Sequence, residues 1–202
     1  MQHLIDALTS GDLGAVRVLA DEGRAAEGGP GSKLAFALSF LDWLESSGEQ
    51  QRYLAAAARM REQAILTGRL EHDELTDLLP ACEALVVPST FPESFGMVAV
   101  EGAACGALPI SAAHSGLAEV SRTLAAALPE PVRELVSFPI DGDVVRSIAS
   151  RVVGWLQAEG GLRAATRTAL VETTAARYSW EGVARGVIAA ARGELDALEE
   201  PT

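Results

Sequence analysis

The chain has 202 residues, of which 49% are hydrophobic, and this is enough to build one sizeable core or two small ones. Its formal net charge of -12 would repel nucleic-acid phosphates and anionic lipid surfaces, so we expect neither as a partner. Only two cysteines occur, without metal-ligand spacing, and no apolar stretch reaches the roughly 18 residues of a membrane span, so the sequence predicts a cytoplasmic, globular protein without a metal site.

The first sixty residues are typical of successive helices. They are rich in Ala and Leu and contain no β-branched run that would form a buried strand. We therefore predict a helical region over residues 1–63, which looks like an insert ahead of the domain that follows.

Beyond residue 63, short apolar runs alternate with helical patterns. The predicted strands are Ala64–Leu66, Ala84–Val87, Ala107–Ile110 and Leu135–Phe138. The predicted helices after residue 72 are Asp73–Cys82, Ser94–Cys105, Asp143–Gln157, Leu162–Arg177 and Trp180–Leu198. Such alternation indicates an α/β fold with a parallel sheet and flanking helices. We therefore predict a Rossmann-like but incomplete domain over residues 64–202.

The stretch most informative about function follows the second predicted strand and opens a helix. It reads Pro-Glu-Ser-Phe-Gly at residues 92–96, and its Glu93 is separated by seven residues from Glu101 within the helix. Ligands of open α/β sheets bind beyond the carboxyl ends of the strands, and free N–H groups at a helix start favour phosphate. Ionised carboxylates accept hydrogen bonds from sugar hydroxyls, and Gly96 would let a diphosphate approach the backbone. This pattern predicts a site for a phosphorylated sugar.

In these residues the chain resembles the retaining glycosyltransferases of the GT-B fold known as glycosyl transferases group 1. The resemblance rests on the two glutamates, on Ala-Ala-Cys-Gly-Ala-Leu-Pro-Ile at 103–110 and on Ser-Gly-Leu-Ala-Glu-Val at 115–120. Upstream, Thr-Gly-Arg-Leu at 67–70 fits the same family, as does Tyr-Ser-Trp at 178–180. The resemblance thus extends over roughly residues 64–188 and implies the C-terminal, donor-binding half of such an enzyme.

The resemblance implies a role for each residue of the site. Glu93, the candidate catalytic residue, would position the donor by contacting its sugar hydroxyls, and Glu101 would hold the ribose. The backbone amides of the loop and helix start would meet the diphosphate, with Gly68 and Arg69 near the base. The donor-binding residues are thus Glu93, Ser94, Phe95, Gly96, Met97, Glu101, Gly68 and Arg69. The implied reaction transfers a hexose from a nucleotide-diphosphate donor with retention and needs no metal or other cofactor.

The chain also departs from the family. A complete member has an N-terminal acceptor-binding domain, and its nucleotide domain starts with strands that carry a basic Arg and Lys pair. Neither is found before residue 64, so we expect that an acceptor domain is missing and that the chain alone is inactive. The expected partners are therefore a nucleotide diphosphate sugar and a missing acceptor domain or partner chain.

Other interpretations stand beside these. The chain could be a non-catalytic nucleotide-sugar-binding or interaction module, whereas an epimerase of the same fold fits less well. Arg69 is as well suited to a surface ion pair as to a nucleotide, and His114 could approach the ligand or be a surface residue. We expect Gly106 to be a turn glycine, and Trp43, Trp155 and Trp180 to pack between helices.

Overall fold

The computed structural model describes residues 2–23, 25, 31–194 and 196. The chain forms two compact units. The first comprises the described residues of Met1–Arg69 together with Asp141–Val145, and the second comprises those of Leu70–Ile140 and Arg146–Thr202. The domain boundary placed at residue 64 from the sequence stays a prediction, because compactness alone does not define a domain.

The first unit confirms the helical character predicted for the start of the chain. Its helices are α1 (Gln2–Ser10), α2 (Leu13–Glu22), α3 (Ala35–Ser47), α4 (Gln50–Ala57) and α5 (Met60–Gln63). The Asp12 side chain accepts a hydrogen bond from the Ala15 amide and so caps α2. The buried apolar centre is formed by Ala7, Leu8, Val16, Leu41 and Ala57.

The second unit contains a parallel sheet of three strands in the order β1-β2-β3. The strands are β1 (Ala84–Val87), β2 (Leu108–Ala112) and β3 (Ser137–Phe138). Ala84 pairs with Leu108, and Ser111 pairs with Ser137. Every residue of β2 is buried, as expected for the central strand of a parallel sheet that is covered on both faces. The predicted α/β fold with a partial, Rossmann-like parallel sheet is therefore confirmed.

Helices alternate with these strands. They are α6 (His72–Leu78), α7 (Met97–Ala104), α8 (Ser115–Ala127), α9 (Glu130–Arg133), α10 (Val144–Gln157), α11 (Gly160–Tyr178) and α12 (Trp180–Ala191). The small residues of α7 let it pack closely on β1, since a Cβ atom at Gly102 would lie 2.6 Å from Leu85 Cδ2. Helices α7, α8 and α11 all contact β2, and of these α7 follows β1 and α8 follows β2 along the chain.

Three expectations from the sequence are wrong. Ala64–Leu66 forms no strand, and Ile65 is 86% exposed. A strand needs a hydrogen-bonded neighbour, and a short apolar run does not provide one. Helix α12 ends at Ala191, short of the predicted Leu198, which lies outside the described residues. Trp180 does not pack between helices, because it is 90% exposed at the first position of α12.

Trp155 connects α10 to the start of the sheet. Its side chain is fully buried, and its indole N–H donates a hydrogen bond of 2.7 Å to the Glu83 carbonyl, just before β1. The side chain of Glu83 also makes contacts: its Oε2 lies 3.3 Å from Arg163 Nη1 and 3.0 Å from Arg167 Nη2, both on α11. Glu83 thus joins two helices to the amino end of β1, and Trp155 supplies the buried apolar part of this junction.

We predict that Trp155→Ala lowers the free energy of unfolding by about 3–5 kcal/mol, because it removes a fully buried aromatic side chain and its hydrogen bond. Trp180→Ala is the matched control, and it should change stability by less than about 0.5 kcal/mol because its side chain is exposed. Urea unfolding followed by far-ultraviolet circular dichroism measures both. Equal losses in the two variants would contradict the assignment of Trp155 to the core.

Candidate functional site

The candidate site lies at the carboxyl edge of the parallel sheet. Strand β1 ends at Val87 and continues through the loop of residues 88–96 into α7, while β2 ends at Ala112 and leads almost directly into α8. Because the two strands are parallel neighbours, the loop and the starts of both helices meet at one edge. The first N–H groups of a helix have no partner within it, so two sets of backbone donors converge there.

The loop and α8 approach each other closely because both carry a glycine at the point of contact. A Cβ atom at Gly116 would lie 2.5 Å from the backbone nitrogen of Phe95. A Cβ atom at Gly96 would lie 3.0 Å from Leu117 Cδ2, and Gly96 has a φ of 88° that side chains rarely tolerate. The sequence predicted that Gly96 would let a diphosphate come close to the backbone. In this structure, the segment that comes close to Gly96 is α8.

The backbone of Glu93 is held on both sides. Its N–H donates to Ser115 Oγ at 3.0 Å, and its carbonyl accepts a hydrogen bond from the Gly116 N–H at 2.9 Å. These two bonds fix the backbone of Glu93 at the start of α8 and leave the carboxylate for other contacts. Glu93 is half-buried.

Glu101 lies on α7, five residues after the Gly96 cap. The buried residues of this helix are Ala99, Val100, Gly102 and Ala103. Since each residue of a helix turns by about 100°, Glu101 projects from the opposite face, and it is half-buried there. Glu93 thus lies in the loop before α7 and Glu101 near the middle of that helix, and their joint contact with a donor stays a prediction.

The three remaining candidate residues of the loop and the helix start differ in exposure and contacts. Ser94 is exposed, and Met97, the first residue of α7, is 53% exposed. Phe95 is 47% exposed, and its ring meets that of Tyr178 edge to face, with centroids 5.9 Å apart. Tyr178, the first residue of the Tyr-Ser-Trp motif, thus packs against the loop from the end of α11.

The structure also bears on His114, for which the sequence left two alternatives, and on Gly106, which was expected to be a turn glycine. His114 is half-buried between β2 and α8, and its ring nitrogens lie 2.8 Å from the Ser89 carbonyl oxygen and 3.0 Å from Ser115 Oγ. It is therefore a loop-binding residue and not a solvated surface histidine. Gly106 is buried after the end of α7 with a φ of 80°, which confirms the turn glycine.

Gly68 and Arg69 belong to the first unit, whereas the residues described above belong to the second. Gly68 has a φ of 70° within a segment that has no regular secondary structure. Their place near a nucleotide base stays a prediction.

The charge of the second unit's site is one-sided. No Lys or Arg occurs between residues 70 and 121, although this segment contains Glu93, Glu101 and Glu119. Backbone dipoles at the starts of α7 and α8 are thus the positive groups that this segment offers to an anion. Within the described ranges, no three His, Cys, Asp or Glu residues are grouped so that they could hold a metal ion.

A separate surface groove of about 590 Å³ lies in the first unit. It is lined by Gly14, Arg17, Val18, Asp21, Glu22, Leu38 and Asp42. The hydrogen bonds that the Arg17 guanidinium donates to Asp42 and Glu45 raise the pKa of Arg17 above its ordinary value, and both carboxylates lie within 3.0 Å of the guanidinium. Because the arginine is already paired, this groove offers no free positive charge to a phosphate.

Comparison with known proteins supports the resemblance. Residues 44–128 match the family model described as "Glycosyl transferases group 1", so the resemblance is confirmed over that segment, which begins within α3 and ends after α8. No solved structure matches the chain. None of the helices in the described part of the chain is both long and apolar enough to cross a membrane.

Similar curated proteins include mycobacterial ones that carry the name D-inositol 3-phosphate glycosyltransferase. Those of Mycobacterium ulcerans and Mycobacterium marinum are each 32% identical over 120 residues, which is 59% of this chain and 23% of theirs. That of Mycobacterium bovis is 32% identical over 130 residues, which is 62% of this chain and 25% of its own. The aligned segment thus spans about a quarter of the length of these relatives.

The close approach of the loop to α8 gives a prediction. Gly116→Ala should lower the free energy of unfolding by more than about 1 kcal/mol, because its Cβ would overlap the Phe95 backbone, and this outweighs the usual gain from Ala in a helix. Gly186→Ala, in α12 with no neighbour within 4 Å, is the control and should be neutral or stabilising. Urea midpoints measure both, and a Gly116→Ala variant as stable as Gly186→Ala would show that the loop does not press on α8.

Proposed function

We propose that this chain supplies the donor-binding part of a retaining GT-B glycosyltransferase that transfers a hexose from a nucleotide-diphosphate donor. Glu93 contacts the hydroxyls of the donor sugar, and Glu101 holds the ribose. The amides of Phe95, Gly96 and Met97 meet the diphosphate, and Gly68 and Arg69 lie near the base. The observation that carries the proposal is the fixed backbone of Glu93 beside the start of α7, with Glu101 on the outer face of the same helix.

The proposed chemistry follows from what these groups can do. Helix-start amides stabilise negative charge, so they favour the diphosphate as it leaves the sugar. The bond from the anomeric carbon to the diphosphate oxygen breaks, and the acceptor hydroxyl oxygen bonds to that carbon on the same face. The hydroxyl proton passes to the leaving diphosphate, and configuration is retained. Glu93 acts in this scheme by positioning the sugar, since its carboxylate accepts hydrogen bonds from hydroxyls. No metal or cofactor is included in the proposal.

We propose that the acceptor substrate is bound by a domain or partner chain outside this segment. Two facts support this: the alignment spans about a quarter of each relative, and residues 70–121 contain no Lys or Arg to neutralise a diphosphate. We therefore propose that an acceptor domain or partner chain adds positive charge and that the segment alone is inactive. The relatives are named for D-inositol 3-phosphate, and that acceptor is the first to test. The proposal places the protein in the cytoplasm.

A second candidate is a nucleotide-sugar-binding or interaction module without catalysis. The same shortage of positive charge favours it, because leaving-group stabilisation depends on such charge. The two candidates differ in turnover: the enzyme fragment gains transferase activity when joined to an acceptor domain, whereas the module binds its ligand and releases it unchanged.

Calorimetric titration of the purified chain with UDP, GDP, UDP-glucose and GDP-mannose tests the donor site. We expect one base to be preferred, and Glu101→Ala to weaken binding about 10-fold or more, equivalent to about 1.4 kcal/mol, through loss of a charge-assisted hydrogen bond to the ribose. Glu172→Ala, an exposed carboxylate on α11, is the control and should bind as the wild type does. Binding that is equal in all three proteins would rule out Glu101 as the ribose ligand, and no binding at all would refute the donor site.

A further inference from the structure

Besides the bond from the Gly116 N–H to the Glu93 carbonyl, two side-chain contacts attach the loop to the start of α8, and His114 takes part in both. At the start of the loop, His114 Nε2 lies 2.8 Å from the Ser89 carbonyl oxygen. At Glu93, the N–H donates to Ser115 Oγ, which in turn lies 3.0 Å from His114 Nδ1. One imidazole therefore joins both ends of residues 89–93.

The contacts select one of the two tautomers of the neutral ring. A carbonyl oxygen only accepts, so Nε2 must carry the proton of the neutral ring, and Nδ1 is then an acceptor. The Ser115 hydroxyl donates its hydrogen to Nδ1 and uses a lone pair for the Glu93 N–H. In this series of hydrogen bonds, from Ser89 through His114 and Ser115 to Glu93, every donor then meets an acceptor. The series fits one tautomer of the neutral ring.

The backbone of Ser115 shows that this arrangement is built at a conformational cost. Its φ is 47°, which makes it the one non-glycine residue with positive φ in the described part of the chain. Serine is unfavourable in that region, and such strain persists where surrounding contacts require it. Here the surrounding contacts are the two hydrogen bonds of the Ser115 hydroxyl, which a glycine at this position could not make.

We propose that His114 is a positioning residue for Glu93: through Ser115 and Ser89 it holds the glutamate in the orientation that grips the donor sugar. This inference rests on the proposed function. Because Glu93 is assigned to the sugar and the helix amides to the diphosphate, loss of His114 affects the part of the affinity that comes from the sugar. Binding of the free nucleoside diphosphate does not depend on it.

Titration of variants with UDP and UDP-glucose, and with GDP and GDP-mannose, tests this division. In His114→Ala, the Kd of the preferred nucleotide sugar should rise about 10-fold, while the Kd of its nucleoside diphosphate changes less than about 2-fold. His114→Gln retains an amide N–H that can reach the Ser89 carbonyl, and it should recover part of the loss. A purely structural role would weaken both ligands together, so equal losses, or none, would overturn the proposal.

A pair of Ser115 variants separates the hydroxyl from the backbone strain. Ser115→Gly relieves the positive φ and removes the hydroxyl, so it should be at least as stable as the wild type and still lose affinity for the sugar. Ser115→Ala removes the hydroxyl and keeps the strain, so it should lose both stability and affinity. Ser115→Gly that binds the nucleotide sugar as tightly as the wild type would show that the hydroxyl does not position Glu93.

Nitrogen-15 NMR of the full chain tests the network without any ligand. The His114 ring should show a proton on Nε2 and none on Nδ1, and exchange of the Glu93 amide proton should be at least 10-fold faster in His114→Ala. The opposite tautomer, or unchanged exchange, overturns the network whatever the chain binds. A wild-type chain that has this network and binds no nucleotide sugar refutes the proposed function and, with it, the positioning role of His114.

Discussion

The close approach of two backbone segments is the constraint on which the candidate site depends. Gly116 lies so near Phe95 that any side chain would overlap the loop backbone, and Gly96 approaches Leu117 from the other side. This contact allows the Gly116 N–H to reach the Glu93 carbonyl and the Ser115 hydroxyl to reach the Glu93 N–H. Without it, Glu93 would be a side chain on an exposed loop. With it, the carboxylate projects from a backbone that is fixed at both polar groups.

The sheet explains why this contact forms at the carboxyl edge of the strands, where ligands of open α/β sheets bind. Strand β2 is wholly buried, and its parallel neighbour β1 ends beside it, so the segments that follow both strands meet. Helix α7 turns its small residues toward β1 and leaves Glu101 on the outer face. Two helix starts are therefore brought to one edge of the sheet by the pairing of β1 with β2, while Trp155 is buried at the opposite end of β1.

Much of the second unit could be predicted from the sequence, because its apolar runs are short and bounded. The run 84–87 is β1 as expected, and the periodic residues of α10 and α11 give helices within a few positions of those predicted. Helix α8 was not predicted, although Leu117, Val120 and Leu124 recur at helical spacing and are buried. Ala64–Leu66 shows the reverse case, since an apolar run without a strand neighbour remains irregular and exposed.

The sequence by itself determined the chemical groups of the candidate site: two carboxylates with seven residues between them, a glycine among those seven, and a position after a strand and at the start of a helix. These features are local, so spacing and residue type are enough to recognise them. Only the tertiary structure decided what holds Glu93, because Ser89, His114 and Gly116 come from segments that are brought together by the pairing of β1 with β2. A histidine's tautomer and a serine's strained backbone depend on such neighbours, and no sequence pattern contains them.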